Sequence, residues 1–274
     1  MKGFDKRFSD LPDYILKCTA QIWEGRDIAA LDWHYSDDLL VRSPAGINRG
    51  NTSGKSNTMA TLSEFPDREL FGEDVLWCGD EEVGFLSSHR IFSTATHRGG
   101  AFGPETGVRV SFRTIADTYC YKNRVWDEWL IRDNAAIALQ LGQNAKDAAI
   151  AMINRGDRDT PLTPTNDVVG PYKGSGNTEE WGELHANILR QIMTADFSVI
   201  KEEYDRACHL SLPGGQEVHG WSEADKFWIG LRSAFPTAEF KINHQMGCVD
   251  PLLSPRSAIR LSLIHISEPT RRTP

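Results

Sequence analysis

Asp133 is the residue that the sequence places best for moving a proton. It ends an alternating stretch, Arg124-Val125-Trp126-Asp127-Glu128-Trp129-Leu130-Ile131-Arg132, whose period of two reads as a β-strand. With Lys122-Asn123 or Asn123-Arg124 as the tight turn, either register pairs Val125, Trp129, Ile131 and Asp133 with Val110, Phe112, Thr114, Ala116 and Thr118 of the preceding strand. Burial in such an apolar wall raises a carboxyl pKa, which suits a general acid/base working near neutral pH. The competing reading is a helix cap, because Asn134-Ala135-Ala136-Ile137 follows directly and Asp is a favoured N-cap. Asp117 falls on the opposite face in both registers unless a bulge intervenes, which argues against a pair of carboxylates.

His97, in the glycine-rich stretch 96–107, has the chemistry to hydrogen-bond a carbonyl or enolate oxygen, or simply to shape a turn. Arg90 is the charged residue of its strand, fit for clamping a substrate anion or for a structural ion pair. Trp23, Tyr35, Phe112 and Trp129 are expected to line a hydrophobic pocket or to fill a core, while His34 and His89 are expected to be satisfied locally. Gly99, Gly100 and Gly103 follow no strand-to-helix switch, so they do not form a phosphate loop.

These residues need a scaffold, and the spacing of apolar positions supplies one. Leu11, Tyr14, Ile15, Cys18 and Ile22 mark an amphipathic first helix capped by Ser9 or Asp10. Asp27 opens a short second helix, a strand follows at 39–43, and a third helix spans about 53–64 until Phe65-Pro66-Asp67 stops it. Four strands are expected at 69–77, 83–96, 108–121 and 124–132, and a helix at about 134–154. Helices segregated onto one face of a curved antiparallel sheet make an α+β cone with a pocket between the layers.

Part of this pattern returns. Asp27, Tyr35, Pro44 and Gly46 recur as Asp196, Tyr204, Pro213 and Gly215, and Gly50, Phe65, Pro66, Cys78, Asp80 and Arg90 recur as Gly220, Phe235, Pro236, Cys248, Asp250 and Arg260. A shift of about 170 residues is too long for a solenoid or propeller repeat. It predicts a duplicated domain: a complete copy at 1–145, a helix and Pro/Gly-rich linker at 146–178, and a partial copy at 179–263. Residues 264–274 show neither alternation nor helical periodicity, resemble translated read-through of a sequencing adapter, and are expected to be foreign to the fold.

Thr96-His97-Arg98-Gly99-Gly100-Ala101-Phe102-Gly103-Pro104-Glu105-Thr106-Gly107 resembles the threonine-histidine, glycine-rich, threonine-glycine loop of SnoaL-like polyketide cyclases in the NTF2-like superfamily. Phe65-Pro66-Asp67, Arg90, Arg124-Val125-Trp126-Asp127-Glu128-Trp129, Asp133 and Gln140-Leu141-Gly142 follow the same order. The resemblance implies an NTF2-like cone-shaped barrel, commonly homodimeric, holding a small hydrophobic carbonyl compound. It also implies intramolecular aldol condensation without metal or cofactor, with Asp133 as the matching general acid/base. Relatives also include hydrolases, isomerases and non-catalytic binding or dimerisation modules.

The formal charge of −8 and the absence of a basic stripe argue against a nucleic-acid partner. Five scattered cysteines without C-x-x-C indicate neither a zinc site nor a disulfide framework. No stretch approaches the apolar length of a membrane span. A cytoplasmic, reducing compartment is the expectation.

Overall fold

Helix α1 (Leu11–Trp23) begins where the Asp10 carboxylate accepts the Asp13 N–H, and it buries Leu11, Tyr14, Ile15, Cys18 and Ile22 along one face. Asp27 caps a 3-10 turn at Ile28–Ala30 that runs into α2 (Leu31–His34). Strands β1 (Tyr35–Ser43) and β2 (Gly46–Arg49) form a hairpin, and α3 (Asn51–Glu64) precedes β3 (Glu69–Asp80), β4 (Gly84–Thr96), β5 (Arg109–Tyr121) and β6 (Arg124–Arg132). The helix expected at 134–154 is two helices, α4 (Asn134–Gln140) and α5 (Ala145–Asn154), because the chain turns at Gly142 with φ at +75°. That left-handed conformation favours glycine.

This computed structural model describes residues 1–154, 162, 163 and 165–264. Two compact units emerge: Met1–Lys173 together with Pro213–Gln216, and Gly174–Leu212 together with the chain from Glu217. In the first unit six strands form one sheet in the order β2-β1-β6-β5-β4-β3. All pairings are antiparallel except β1 with β6. The sheet thus has a parallel seam that the alternation of apolar residues did not reveal.

One face of this sheet packs on the helices, with an apolar cluster at each end. At one end Phe85, Cys120, Val125 and Val75 meet Leu11, Tyr14, Ile15 and Cys18 of α1. At the other, Ala95, Val110 and Phe112 meet Phe65 and the α4 residues Ala136 and Ile137. On the opposite face, residues 167–172, within the expected linker, lie against the sheet. Arg42 there pairs with the buried Asp127, donates to Asp167 at 2.7 Å and to the Val168 carbonyl at 2.8 Å, and stacks on Trp129.

In the second unit α6 (Glu180–Met193), α7 (Val199–Glu203), the hairpin β7 (His209–Leu212) and β8 (Gln216–His219), α8 (Trp221–Ala234) and the antiparallel pair β9 (Glu239–Cys248) and β10 (Arg256–Ile264) follow the order of elements from α1 to β4. Ile188, Ile192, Val199, Ile200 and Ala224 form its core. Ile264, expected to begin the foreign tail, is paired with Glu239 in β10. Residues 265–274 lie outside the described part of the chain.

Candidate functional site

The turn Lys122-Asn123 has both residues at positive φ, 47° and 65°, as a two-residue hairpin of the type that matches strand twist requires. Tyr121 accordingly faces Arg124 and Cys120 faces Val125, but Tyr119 then faces Asp127. Trp126 is an extra residue, a β-bulge, and one extra residue exchanges the two faces of everything beyond it. The helix-packed face of β6 therefore carries Glu128, Leu130 and Arg132, opposite Thr118, Ala116 and Thr114. Trp129 and Ile131, expected on that face, stand on the other one.

Read across the helix-packed face, the residues between the two apolar clusters form a polar belt. Ser87, Thr118, Glu128 and Val41 make one row, and Val75, His89, Ala116 and Leu130 the next. Ile91, Thr114 and Arg132 make a third, with Ser93 beside Phe112 completing the belt. The Ser87 and Thr118 hydroxyls hydrogen-bond each other at 2.7 Å. Glu128 is buried and makes no hydrogen bond or ion pair among the described residues. Desolvation alone pushes its carboxyl up to about 7.

His89 is 3% exposed and its Nε2 has no hydrogen-bond partner, contrary to the expectation of local satisfaction. Burial holds its imidazole down at about 4, against a smaller upward pull from Asp74. Gly72 on β3 makes room for it: a Cβ there would stand 3.1 Å from His89 Nε2 and 2.5 Å from Leu16. Tyr35, partly buried, has its hydroxyl pKa raised first by desolvation and then by the charge of Glu128. Its pairing with Val125 places Tyr35 at the border of the belt.

Two guanidinium groups complete the arrangement. Arg68, in the turn after α3, lies 4.8 Å above the Trp23 ring and 5.2 Å above the Phe112 ring, and donates to Ser93 Oγ at 3.2 and 3.1 Å. Burial, and then the charge of Arg132, lower it to about 9. Arg132 donates from Nε to Asn134 Oδ1 at 2.8 Å.

The residues singled out from sequence divide accordingly. Trp23, Tyr35 and Phe112 border the belt. Arg90 does not, because it is exposed and paired with Glu73 at 3.2 Å on the opposite face. Trp129 is likewise removed from any pocket on the helix side, since the bulge turns it toward Arg42. His97 is fully buried, with Nδ1 3.0 Å from Thr106 Oγ1, while its Nε2, 3.4 Å from Glu64 Oε1, has no hydrogen-bond partner among the described residues.

Asp133 is held by backbone amides. Its Oδ1 accepts the Ala136 N–H at 2.9 Å as the cap of α4, and its two oxygens accept the Gly214 and Gly215 N–H groups at 2.8 to 3.1 Å. The apolar wall expected around it is not where the register puts it, because the inward alternation of β6 ends with Arg132. The acid that sequence reasoning missed is Glu128. Only the bulge distinguishes its face, and the adjacent Asp127 and Glu128 gave no local signal as to which of them points inward.

Among the described residues no group of three or more His, Cys, Asp or Glu side chains is placed to hold a metal ion, and no helix is long and apolar enough to cross a membrane. No family model matches the chain, and no curated protein matches it. Solved structures similar to it include AclR from Streptomyces galilaeus, with 22% identity over 51% of this chain and 96% of that one and a TM-score of 0.42. A SnoaL-like polyketide cyclase from Agrobacterium tumefaciens shares 19% identity over 49% of this chain and 100% of its own, with a TM-score of 0.41. A protein with a ketosteroid isomerase-like fold from Catenulispora acidiphila, solved with trimethylamine, shares 13% identity over 48% and 95%, with a TM-score of 0.41. Each match covers about half of this chain.

Proposed function

We propose that the first unit binds a small hydrophobic carbonyl compound on the polar belt and transfers protons at the carbon beside the carbonyl, without a cofactor. Such chemistry is that of an intramolecular aldol cyclisation. Glu128 is the proton carrier in this reading. Its carboxylate takes the α-proton, the resulting enolate carbon attacks a second carbonyl of the same molecule, and the protonated Glu128 returns the proton to the alkoxide that forms.

The observation that carries the reading is the state of Glu128, buried and free of hydrogen bonds among the described residues, with its carboxyl near 7. A general acid/base is most effective with a pKa close to the working pH. Tyr35 is suited to donate to the enolate oxygen through its neutral hydroxyl. Asp133, matched to the family aspartate from sequence, serves instead to fix the end of β6 to α4. The second unit is, in the same proposal, a duplicate of the first.

Exchange of α-protons for deuterium, followed by NMR over a panel of small aromatic ketones, tests this. Exchange that is lost in Glu128→Gln and kept in Asp133→Asn supports it; exchange that survives in Glu128→Gln rejects it. A second reading, a binding module without catalysis, is favoured by the engagement of Asp133 with three amides. Ligand binding without any exchange would select that reading.

A further inference from the structure

Neither arginine of the belt has a carboxylate at ion-pair distance among the described residues. Arg68 is 8% exposed, its partners are a serine hydroxyl and two aromatic rings, and no carboxylate lies within ion-pair distance of it among the described residues. Arg132 has one amide oxygen as its partner and likewise no carboxylate at ion-pair distance. Thr114, directly across the strand pair from Arg132, is 4% exposed and its Oγ1 has no hydrogen-bond partner. Buried cations and buried hydroxyls are normally paired, because leaving them bare is costly. Arg68 and the Thr114 hydroxyl are buried and Arg132 is half-buried, and the three lie beside adjacent rows of one face, so a single ligand group can serve them together.

We infer that Arg68, Arg132 and the Thr114 hydroxyl bind the carboxylate of an aromatic or similarly flat hydrophobic substrate. This deepens the preceding reading, on which it rests for the belt being a ligand site, by naming the substrate class. The planar fork of arginine fits a carboxylate through two parallel N–H donors. Charge selects a monoanion over a dianion: the Glu64 carboxylate is the acid whose charge reaches Arg132, and it offsets one of the two positive charges. Glu64 otherwise accepts the Phe102 N–H at 3.0 Å. Trp23 and Phe112, under the Arg68 guanidinium, and Ile91 beside Thr114 supply flat and apolar walls.

Isothermal titration of the full chain with 2-naphthoate and with its neutral analogue 2-naphthamide tests the inference. The acid is expected to bind roughly tenfold tighter or more, the scale of hydrogen bonds to a charged group. That preference is expected to collapse in Arg132→Gln and in Arg68→Met, and to shrink in Thr114→Val. Arg90→Gln, on the opposite face of the sheet, is expected to keep it. Equal affinity for acid and amide in the wild type overturns the carboxylate site while leaving the belt a ligand site. A preference that survives in both arginine variants also overturns it, because the anion then sits elsewhere, and binding of neither compound overturns both readings. If Arg68→Met fails to fold, Arg132→Gln decides alone.

Discussion

Glu128 and Asp133 lie five residues apart in sequence, and their surroundings are opposite. Asp133, at the junction of strand and helix, spends its lone pairs on three backbone N–H groups. Glu128, in the middle of the strand, is buried among hydroxyls and apolar groups with none of its lone pairs engaged by a described residue. A carboxylate that accepts several amides is tied to the scaffold. One that accepts none is held at high energy when charged, which is the condition for exchanging a proton. Proximity of an acid to a strand end therefore says little about chemistry; its hydrogen-bond ledger says more.

The sharpest way to break this contrast is to neutralise each acid in turn. Glu128→Gln is expected to reduce turnover by about 10²- to 10⁴-fold, the usual weight of general acid/base catalysis, while Asp133→Asn changes it only a few-fold. Steady-state rates on the same carbonyl substrate check both, and the reverse ranking would return the catalytic role to Asp133.

Stability against pH gives the next largest effect. The Glu128 carboxyl is raised in the folded state, so its contribution to stability is greatest below the unfolded value near 4.5 and is lost as pH rises through about 7. Removing the charge with Glu128→Gln is expected to recover up to about 3 kcal/mol at pH 8 relative to pH 4. His89 acts in the other direction. Its folded value is depressed, so its contribution is present above 6.5 and is lost as pH falls toward 4. His89→Gln should flatten that acid limb by roughly 3 kcal/mol at most. Urea denaturation from pH 4 to 8 measures both limbs, and parallel curves for wild type and Glu128→Gln would show that Glu128 is not penalised by burial.

How far the sequence could be read follows from the same strand. Period-two alternation located β3 to β6 to within a few residues, and the spacing in α1 named its buried face, because both signals are local. The face of β6 beyond Trp126 was not legible. A bulge leaves the alternation of apolar residues ambiguous, and Trp129 and Ile131 looked like core for that reason. Tryptophan on the outer face is explained by Arg42, which stacks on it at 4.7 Å from the adjacent strand β1, remote only in sequence. The parallel seam of β1 with β6 was hidden for a related reason, since pairing between residues about 90 apart leaves no trace in local spacing. Arg68 and Arg132 carried no signal because a charged residue in a turn or at a strand end is ordinarily solvated.

The capping side of the contrast is tested by Asp133→Ala. Loss of an N-cap acceptor costs about 1 to 2 kcal/mol, and the Gly214 and Gly215 amides lose their acceptor in the same substitution. A total near 2 kcal/mol at constant pH is expected in urea unfolding, with Asp133→Asn retaining more than half of the wild-type advantage because an amide oxygen still caps. An unaffected midpoint would mean that these amides are satisfied equally well by water.

Arg90 supplies the smallest effect and bounds the comparison from outside the belt. It was a natural choice for an anion clamp, yet its guanidinium is 55% exposed, and its partner Glu73 is also held by Arg113 at 2.9 Å. An exposed pair whose acid keeps a second arginine contributes little, so Arg90→Gln is expected to change stability by no more than about 0.5 kcal/mol and to leave the preference for 2-naphthoate over 2-naphthamide untouched. Arg68 and Arg132 differ from it in burial and in lacking any acidic partner at ion-pair distance among the described residues. If Arg90→Gln removed the acid preference while Arg132→Gln kept it, the anion site would belong to the opposite face of the sheet, and the belt would lose its claim to the substrate.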